Sequence, residues 1–194
     1  MGSGKVYGWT MYGMIHTAAR SMVKDQLGDA TWAIILEKSG LNEEHFITAK
    51  HYSDETTLSV IACIVETTGI ESQELLRKFG EYWIDYATSS AYRSVFTLSG
   101  STLDTFLTNL NRMHMSVSRM MPEASMPIFE MVPGEPGVTD IVYRSDRGDL
   151  LLSFVEGLLI GLMAYFEVSG TVQYRCDAGE HVFRLHREAA RHAA

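Results

Sequence analysis

Proline divides this chain into two kinds of sequence. All four prolines, at positions 122, 127, 133 and 136, lie in one short segment, and none occurs before it. Because proline breaks helices, a long proline-free stretch with apolar residues every three or four positions is typical of successive helices. The segment after the prolines contains short apolar runs bounded by turn residues, which are typical of strands. The sequence therefore predicts helices first and a strand-rich part afterwards.

Apolar spacing and terminating residues predict the individual elements. Helices are predicted at 11–28, 29–40, 54–67, 71–87, 101–121 and 150–166. Strands are predicted at 128–132, 138–145, 168–175 and 180–187. We expect Asp29 and Ser101 to cap the second and fifth helices, Gly40 to end the second and Pro122 to end the fifth. The predicted fold class is α+β, with a helical N-terminal lobe (about 11–121) and a C-terminal lobe (about 122–187) in which a helix packs on an antiparallel sheet.

Composition is typical of a single globular domain and excludes some functions. The chain has 194 residues, of which 46% are hydrophobic and 21% are charged. This length is enough to bury a sizeable core. A net charge of −8 argues against DNA or RNA as the main ligand, because phosphate binding needs a basic surface. Cys63 and Cys176 have no paired spacing, so we expect no disulfide framework and a cytoplasmic, reducing environment.

Neither the start of the chain nor its most apolar segment predicts a membrane protein. The first ten residues, MGSGKVYGWT, lack the apolar core of a secretory signal. Residues 1–10 resemble an introduced leader, which leaves 11–194 as one domain. The segment LLLSFVEGLLIGLMAYF (150–166) is short for a membrane span and contains Glu156 and two glycines, which favours a buried helix.

One histidine lies on the apolar face of the predicted helix 101–121. In NRMHMSVSRMMP (111–122), His114 follows Leu110 by four positions and precedes Val117 by three, so these side chains share a face. Polar residues are expected on the other side: Asn109, Asn111, Arg112, Ser116 and Arg119. Burial disfavours the charged imidazolium and leaves a neutral ring with a nitrogen lone pair. Both a hydrogen-bonded core histidine and an axial ligand of haem iron fit this position, whereas zinc needs more protein ligands.

The segment YRSDR (143–147) places three hydrogen-bond donors at alternate positions. If the segment continues a strand, Tyr143, Ser145 and Arg147 project from one face. A phenol, a hydroxyl and a guanidinium match one or two carboxylates, and Arg147 can bind a carboxylate through two hydrogen bonds. Haem carries two propionates. A polar, solvated strand face is the other interpretation of the same pattern.

Taken together, these segments resemble the haem–nitric oxide/oxygen-binding (H-NOX) domain family, which is related to the haem domain of soluble guanylate cyclase. The resemblance covers nearly the whole chain from Met11. It is carried by MYGMIHTAARSMV, GDATW, LEKSGL, FLTNLNRMHMSVSRMMP, YRSDR and FVEGLLIGLM. The spacing from His114 to Tyr143 is also similar to that of the family.

The resemblance implies a specific haem site. Haem b (iron protoporphyrin IX) would lie between the two lobes, with His114 as the proximal iron ligand. Tyr143, Ser145 and Arg147 would hold the propionates, and Pro127 would press the porphyrin out of plane. Leu110 and Met113 are expected as apolar haem contacts.

Residues on the gas-binding side decide which ligand binds. Oxygen-binding members of the family carry a distal tyrosine, because a hydroxyl donates to bound dioxygen. The matching position here is Phe154, or Leu152 if the register is shifted, and neither can donate a hydrogen bond. Other expected distal residues are Ile15, Trp83, Ala87 and Leu158. We therefore expect a nitric oxide sensor that excludes oxygen, with carbon monoxide as a further ligand.

The resemblance also implies how such a sensor signals. Nitric oxide would weaken the bond from iron to His114, release its helix and shift the lobes. A separate signalling protein, such as a histidine kinase or a cyclic-di-GMP enzyme, would detect this shift. We expect no catalysis within the chain. A haem-independent interaction module of the same fold and an oxygen- or redox-sensing haem protein stay open, as does a zinc site at Cys176 and His181.

Overall fold

The computed structural model describes residues 10–47, 51–120 and 126–188. Its helices are α1 (Gly13–Leu27), α2 (Asp29–Ser39), α3 (Asp54–Thr68), α4 (Ser72–Ser89), α5 (Arg93–Ser99), α6 (Leu103–Met120) and α7 (Leu152–Tyr165). Its strands are β1 (Thr10–Tyr12), β2 (His51–Ser53), β3 (Ile128–Pro133), β4 (Val138–Arg144), β5 (Gly170–Asp177) and β6 (Glu180–Arg187). Short 3-10 helices occupy Glu43–His45 and Gly148–Leu151. The fold class is α+β, as predicted.

The chain divides into two compact units between Leu75 and Leu76, inside α4. The first unit contains β1, β2 and α1 to α3, and the second contains α5 to α7 and the remaining strands. This division differs from the predicted lobe boundary near residue 121. The lobes at 11–121 and 122–187 stay a prediction.

Local capping sets the ends of the helices in the first unit. Ser53 precedes α3, and its hydroxyl accepts a hydrogen bond from the backbone N–H of Thr56 at 3.3 Å. Gly40 and Gly69 follow α2 and α3 in the left-handed conformation, which glycine adopts at little cost. The prediction that Gly40 ends the second helix is confirmed. The cap predicted at its start is wrong, because Asp29 lies inside α2 and Gly28 precedes it without a side-chain hydrogen bond.

The second unit is built on a four-stranded antiparallel sheet with the order β3-β4-β6-β5. Alternate side chains of β4 and β6 are buried on one face, where Ile141 and Phe183 are fully buried and α7 packs beside them. The opposite face carries charged side chains. Arg144 there donates to Glu130 at 2.8 Å and to Glu180 at 2.6 Å. The predicted helix on an antiparallel sheet is confirmed.

A threonine pair caps α6, and the cap predicted at Ser101 is wrong. The backbone N–H of Thr105 donates to the Thr102 hydroxyl at 3.2 Å, and the backbone N–H of Thr102 donates to the Thr105 hydroxyl at 3.1 Å. This reciprocal arrangement satisfies two backbone donors at once. Ser101 and Thr102 are adjacent and both are good caps, so spacing alone cannot distinguish them.

Helix α7 packs closely against the part of α4 in the second unit, because glycines face backbone at the crossing. A Cβ atom placed on Gly157 would lie 1.9 Å from the carbonyl oxygen of Arg77. A Cβ atom placed on Gly80 would lie 2.2 Å from the carbonyl oxygen of Phe154. The glycines therefore allow the two helix backbones to approach more closely than larger residues would.

We expect Gly157→Ala to lower the free energy of unfolding by about 2–3 kcal/mol, because the added methyl group forces α7 away from α4 and disturbs the packing around it. Chemical denaturation should show a lower midpoint with an unchanged m-value. Gly134→Ala is the control, since the nearest atoms to its Cβ all belong to Val138 and lie 3.3–3.4 Å away. Equal midpoints for the two variants would contradict the close helix crossing.

Several short elements were not predicted. Strands β1 and β2 and helix α5 are absent from the sequence-based assignment, because three-residue strands and a seven-residue helix carry little periodic signal.

Some predictions concern residues that the structure does not describe. Residues 1–9 include most of the predicted leader, and Met121 and Pro122 include the predicted end of the fifth helix. Helix α6 is described as far as Met120.

Among the described residues, Gly148–Tyr165 is the one helical stretch long and apolar enough to match a membrane span. Within this stretch 33% is buried, including Val155, Leu159 and Leu162 in the core of the second unit. The predicted burial holds at these positions.

Candidate functional site

His114 lies on the inward face of α6, as its spacing predicted. Leu107 and Leu110 on the same helix are buried, and His114 is half-buried at the end of this apolar stripe. Its Nδ1 atom is 3.3 Å from the carbonyl oxygen of Pro127. Pro127 is a half-buried residue that directly precedes β3. Its ring centroid is 5.7 Å from that of Phe129.

The surroundings of His114 determine both its charge and its tautomer. Burial lowers the pKa of the imidazole below its usual 6.5, and the hydrogen bond to Pro127 opposes this only in part. The ring is therefore neutral at pH 7. A carbonyl oxygen can only accept a hydrogen bond, so the proton is on Nδ1 and the lone pair is on Nε2. His114 thus offers one neutral nitrogen ligand.

We expect the haem-free protein to lose stability as the pH falls below about 6.5, the usual histidine pKa. Folding lowers the pKa of His114, so on acidification the unfolded chain binds a proton at this residue before the folded protein does. The contribution of neutral His114 to the free energy of unfolding is therefore present above the unfolded pKa and is lost as the pH falls. Denaturant midpoints at pH 7.5 and 5.5 measure the loss. The difference should be smaller in His114→Leu, and an unchanged difference would contradict the burial of His114.

Asn111 attaches α6 to the edge strand β3, and sequence reasoning placed it on the wrong side of the helix. Its Nδ2 atom donates to the carbonyl oxygen of Phe129 at 2.6 Å, and its Oδ1 atom accepts from the Phe129 backbone N–H at 2.9 Å. Asn109, also predicted on the polar side, donates to the carbonyl oxygen of Ser99 at 2.9 Å. The first pair of bonds lies one helical turn before His114. No sequence signal separates these asparagines from solvated ones.

The strand does not continue through residues 143–147, because β4 ends at Arg144, one residue before the predicted end at 145. A turn follows, in which the Arg147 backbone N–H donates to the Ser145 hydroxyl at 3.2 Å. The turn, rather than strand alternation, brings Ser145 back toward Tyr143. The side chains of Tyr143 and Ser145 are hydrogen-bonded, and Arg147 is close enough to act on Tyr143 through its charge.

The three residues form a set of protonated donors. Burial raises the pKa of the Tyr143 hydroxyl, while the hydrogen bond with Ser145 and the charge of Arg147 oppose the rise. The phenol is therefore protonated at neutral pH. Tyr143 is 1% exposed, whereas Ser145 and Arg147 are half-buried beside it. A buried phenol, a hydroxyl and a guanidinium can together hold a carboxylate.

The predicted apolar contacts lie in three places. Most of them belong to the single core cluster of the second unit, either buried within it or packed against it: Ala87, Leu110, Trp83, Met113, Leu152 and Leu158. Phe154 packs against Phe79 of α4, with 5.3 Å between ring centroids. Ile15 lies half-buried in α1 of the first unit.

A second polar cluster, missed from the sequence as a connected network, adjoins this site. His181 is opposite Tyr143 on one side and opposite Cys176 on the other in the sheet register. Its Nε2 atom is 3.1 Å from Asp149, and its Nδ1 atom is 2.9 Å from the Tyr174 hydroxyl. In the described part of the chain, no three His, Cys, Asp or Glu residues come together as a metal site. Cys176 and His181 are therefore not part of such a group there.

Comparison with known proteins identifies the family. The model of the family described as Haem-NO-binding matches residues 12–174. The soluble guanylate cyclase gcy-31 of Caenorhabditis elegans is 25% identical over 147 residues, which are 76% of this chain and 21% of that protein. Soluble guanylate cyclase gcy-34 of the same organism is 24% identical over 178 residues, 89% of this chain and 26% of that protein. The chain thus spans about a quarter or less of the length of these relatives.

Solved structures share the fold. An H-NOX protein from S. oneidensis in the Fe(II)NO ligation state superposes with a TM-score of 0.78 at 20% identity, covering 92% of this chain and 100% of that one. The Fe(II) unliganded H-NOX protein from K. algicida has a TM-score of 0.76 at 19% identity, covering 95% and 100%. With the family match over most of its length, the chain belongs to the Haem-NO-binding (H-NOX) family, to which its sequence motifs pointed.

Proposed function

We propose that this protein is a haem-based sensor that binds nitric oxide at ferrous iron, excludes dioxygen and passes a conformational change to a separate signalling protein. It acts by binding and not by catalysis. The cofactor is haem b. The protein is cytoplasmic, since Cys63 and Cys176 are free thiols and a reducing compartment keeps thiols unpaired.

The observation that carries this proposal is the state of His114. Its ring is neutral, and Nδ1 donates to the carbonyl oxygen of Pro127, so Nε2 alone has a lone pair. Histidines that ligate metals typically donate their other ring nitrogen to a carbonyl or carboxylate, which orients the ring. One neutral imidazole suits haem, because the porphyrin supplies the four remaining equatorial ligands. The donor set of this chain therefore fits haem.

The side chains that match the haem propionates are Tyr143, Ser145 and Arg147. Their protonated phenol, hydroxyl and guanidinium match the propionates of haem, and Arg147 would contribute the compensating positive charge. Phe129 is within ring-contact distance of both His114 (5.7 Å) and Tyr143 (5.4 Å). The proposed iron ligand and the proposed propionate anchor thus both contact one aromatic side chain.

The proposed gas-binding wall is apolar. Phe154, Leu158 and Ala87 have no side-chain donor. Trp83 carries an indole N–H, and its ring packs in the core near Phe79, with 6.4 Å between ring centroids. Bound dioxygen is stabilised by a hydrogen-bond donor, whereas nitric oxide binds without one. These residues therefore favour nitric oxide, with carbon monoxide as a further ligand, over dioxygen.

Transmission rests on the attachments of α6. When bound, ferrous haem would supply the gas-binding site, and His114 would hold it. Nitric oxide binding would release His114, while Asn111 keeps the preceding turn of α6 bonded to Phe129. The end of α6 beyond Asn111 would change its position relative to β3. A histidine kinase or a cyclic-di-GMP enzyme is the proposed recipient of this change.

The experiment that tests the proposal is an absorption spectrum of the reduced protein under argon, then in air, then with nitric oxide. A Soret band that is unchanged by air and shifts with nitric oxide is the expected result. A stable oxygen complex would contradict the apolar gas-binding wall. Absence of a Soret band after haem is supplied would overturn the sensor proposal and favour a haem-independent interaction module.

A further inference from the structure

We infer that Asp149 and His181 are positioning residues that hold Arg147 at the carboxylate-binding set, an inference that rests on the proposed function of that set. The ladder of β4 ends at Arg144, so Arg147 lies in a segment without backbone pairing to the sheet. Such a segment needs side-chain attachments to keep a fixed position. Asp149 belongs to the 3-10 helix Gly148–Leu151, which follows Arg147 directly.

Side-chain contacts join this 3-10 helix to strands β6 and β5 of the sheet. Asp149 Oδ1 lies 3.1 Å from Nε2 of His181, which is on β6. The Tyr174 hydroxyl of β5 lies 2.9 Å from Nδ1 of the same ring. The chain of contacts thus joins the segment that carries Arg147 to both strands of the β5–β6 hairpin.

His181 also lies beside the other end of the set. It is the register partner of Tyr143, with 6.4 Å between the ring centroids. Asp149 reaches the same imidazole from the segment after Arg147. His181 therefore contacts both the strand that carries Tyr143 and the segment that carries Arg147, and it fixes the distance between the phenol and the guanidinium.

Both ring nitrogens of His181 take part in this attachment. Nε2–H donates to the Asp149 carboxylate, and the Tyr174 hydroxyl donates to Nδ1.

The test is the rate at which haem leaves the holoprotein for excess apomyoglobin. The Asp149 side chain is 83% exposed, so its variants should fold normally, and such an exposed contact sets a modest scale of effect. We expect Asp149→Ala to lose haem about three- to fivefold faster than the wild type. Arg147→Ala should lose it faster still. Glu135→Ala is the control, because it removes one carboxylate from the loop between β3 and β4.

Two further variants separate positioning from a general loss of structure. Asp149→Asn retains an oxygen acceptor for Nε2–H, so it should lose haem more slowly than Asp149→Ala does. His181→Phe should raise the rate as Asp149→Ala does, and the double variant should be no faster than either, because both substitutions break one attachment.

The outcomes distinguish the inference from the proposed function. A wild-type protein that binds no haem would overturn both. A wild-type protein that holds haem, with Asp149→Ala equal to Glu135→Ala, would overturn only the positioning role. Additive effects in the double variant would also overturn it.

Discussion

His114→Gly is expected to abolish haem retention during purification, and added imidazole is expected to restore it. The substitution removes the proposed nitrogen ligand and leaves a space where free imidazole can reach the iron. The proposed propionate-binding residues Tyr143, Ser145 and Arg147 remain, so haem should rebind once a nitrogen ligand is supplied. The Soret absorbance relative to the absorbance of the polypeptide, with and without imidazole, measures the effect.

The control for this variant is Met115→Gly on the same helix, because Met115 is 60% exposed and adjacent to His114. It carries the same helix-weakening glycine without removing the ligand. We expect it to retain haem without imidazole. Normal haem content in His114→Gly without imidazole would contradict the ligand assignment.

Asn111→Leu is expected to lower the free energy of unfolding by about 2–3 kcal/mol. Leucine is similar in size but leaves both the backbone N–H and the carbonyl oxygen of Phe129 without their side-chain partner, and each such loss is costly at a buried position. Phe129 is 4% exposed, so water cannot fully replace the lost bonds. Chemical denaturation of the haem-free protein measures the change without any contribution from the cofactor.

Asn109→Leu is the matched control, because the same side chain two positions earlier makes one backbone hydrogen bond, to Ser99. We expect a loss of about 1 kcal/mol there. Asn111→Asp should give an intermediate loss, since its carboxylate can accept from the Phe129 N–H but is repelled by the carbonyl. Equal effects at positions 109 and 111 would mean that the bonds to Phe129 do not anchor α6 more strongly than the single bond to Ser99.

Long periodic elements were predicted well from the sequence, and short ones were not. Helix α6 and helix α7 bury residues at intervals of three and four over 14 or more positions, so their faces could be assigned in advance. Strand β1 and strand β2 have three residues each and form only by pairing with each other. Such pairing depends on a partner that is distant in sequence, and no local pattern reports it.

The candidate site shows the same contrast. The inward face of α6 placed His114 correctly, but an identical argument placed Asn111 on the solvent side. Helical spacing assigns a direction to each side chain and does not report which backbone lies there. The bonds from Asn111 exist because β3 is an edge strand with free backbone groups at Phe129.

The sequence by itself determined the α+β class, the order of its long elements, the apolar face that carries His114 and, through its motifs, the family. These follow from local periodicity and from short motifs, which need no knowledge of distant contacts. Only the tertiary structure decided the tautomer of His114, the turn that brings Ser145 and Arg147 to Tyr143, and the contacts of Asn111, Asp149 and His181. Each of these depends on a hydrogen bond or charge contributed by another element or by a turn. Such partners become neighbours only when the chain has folded.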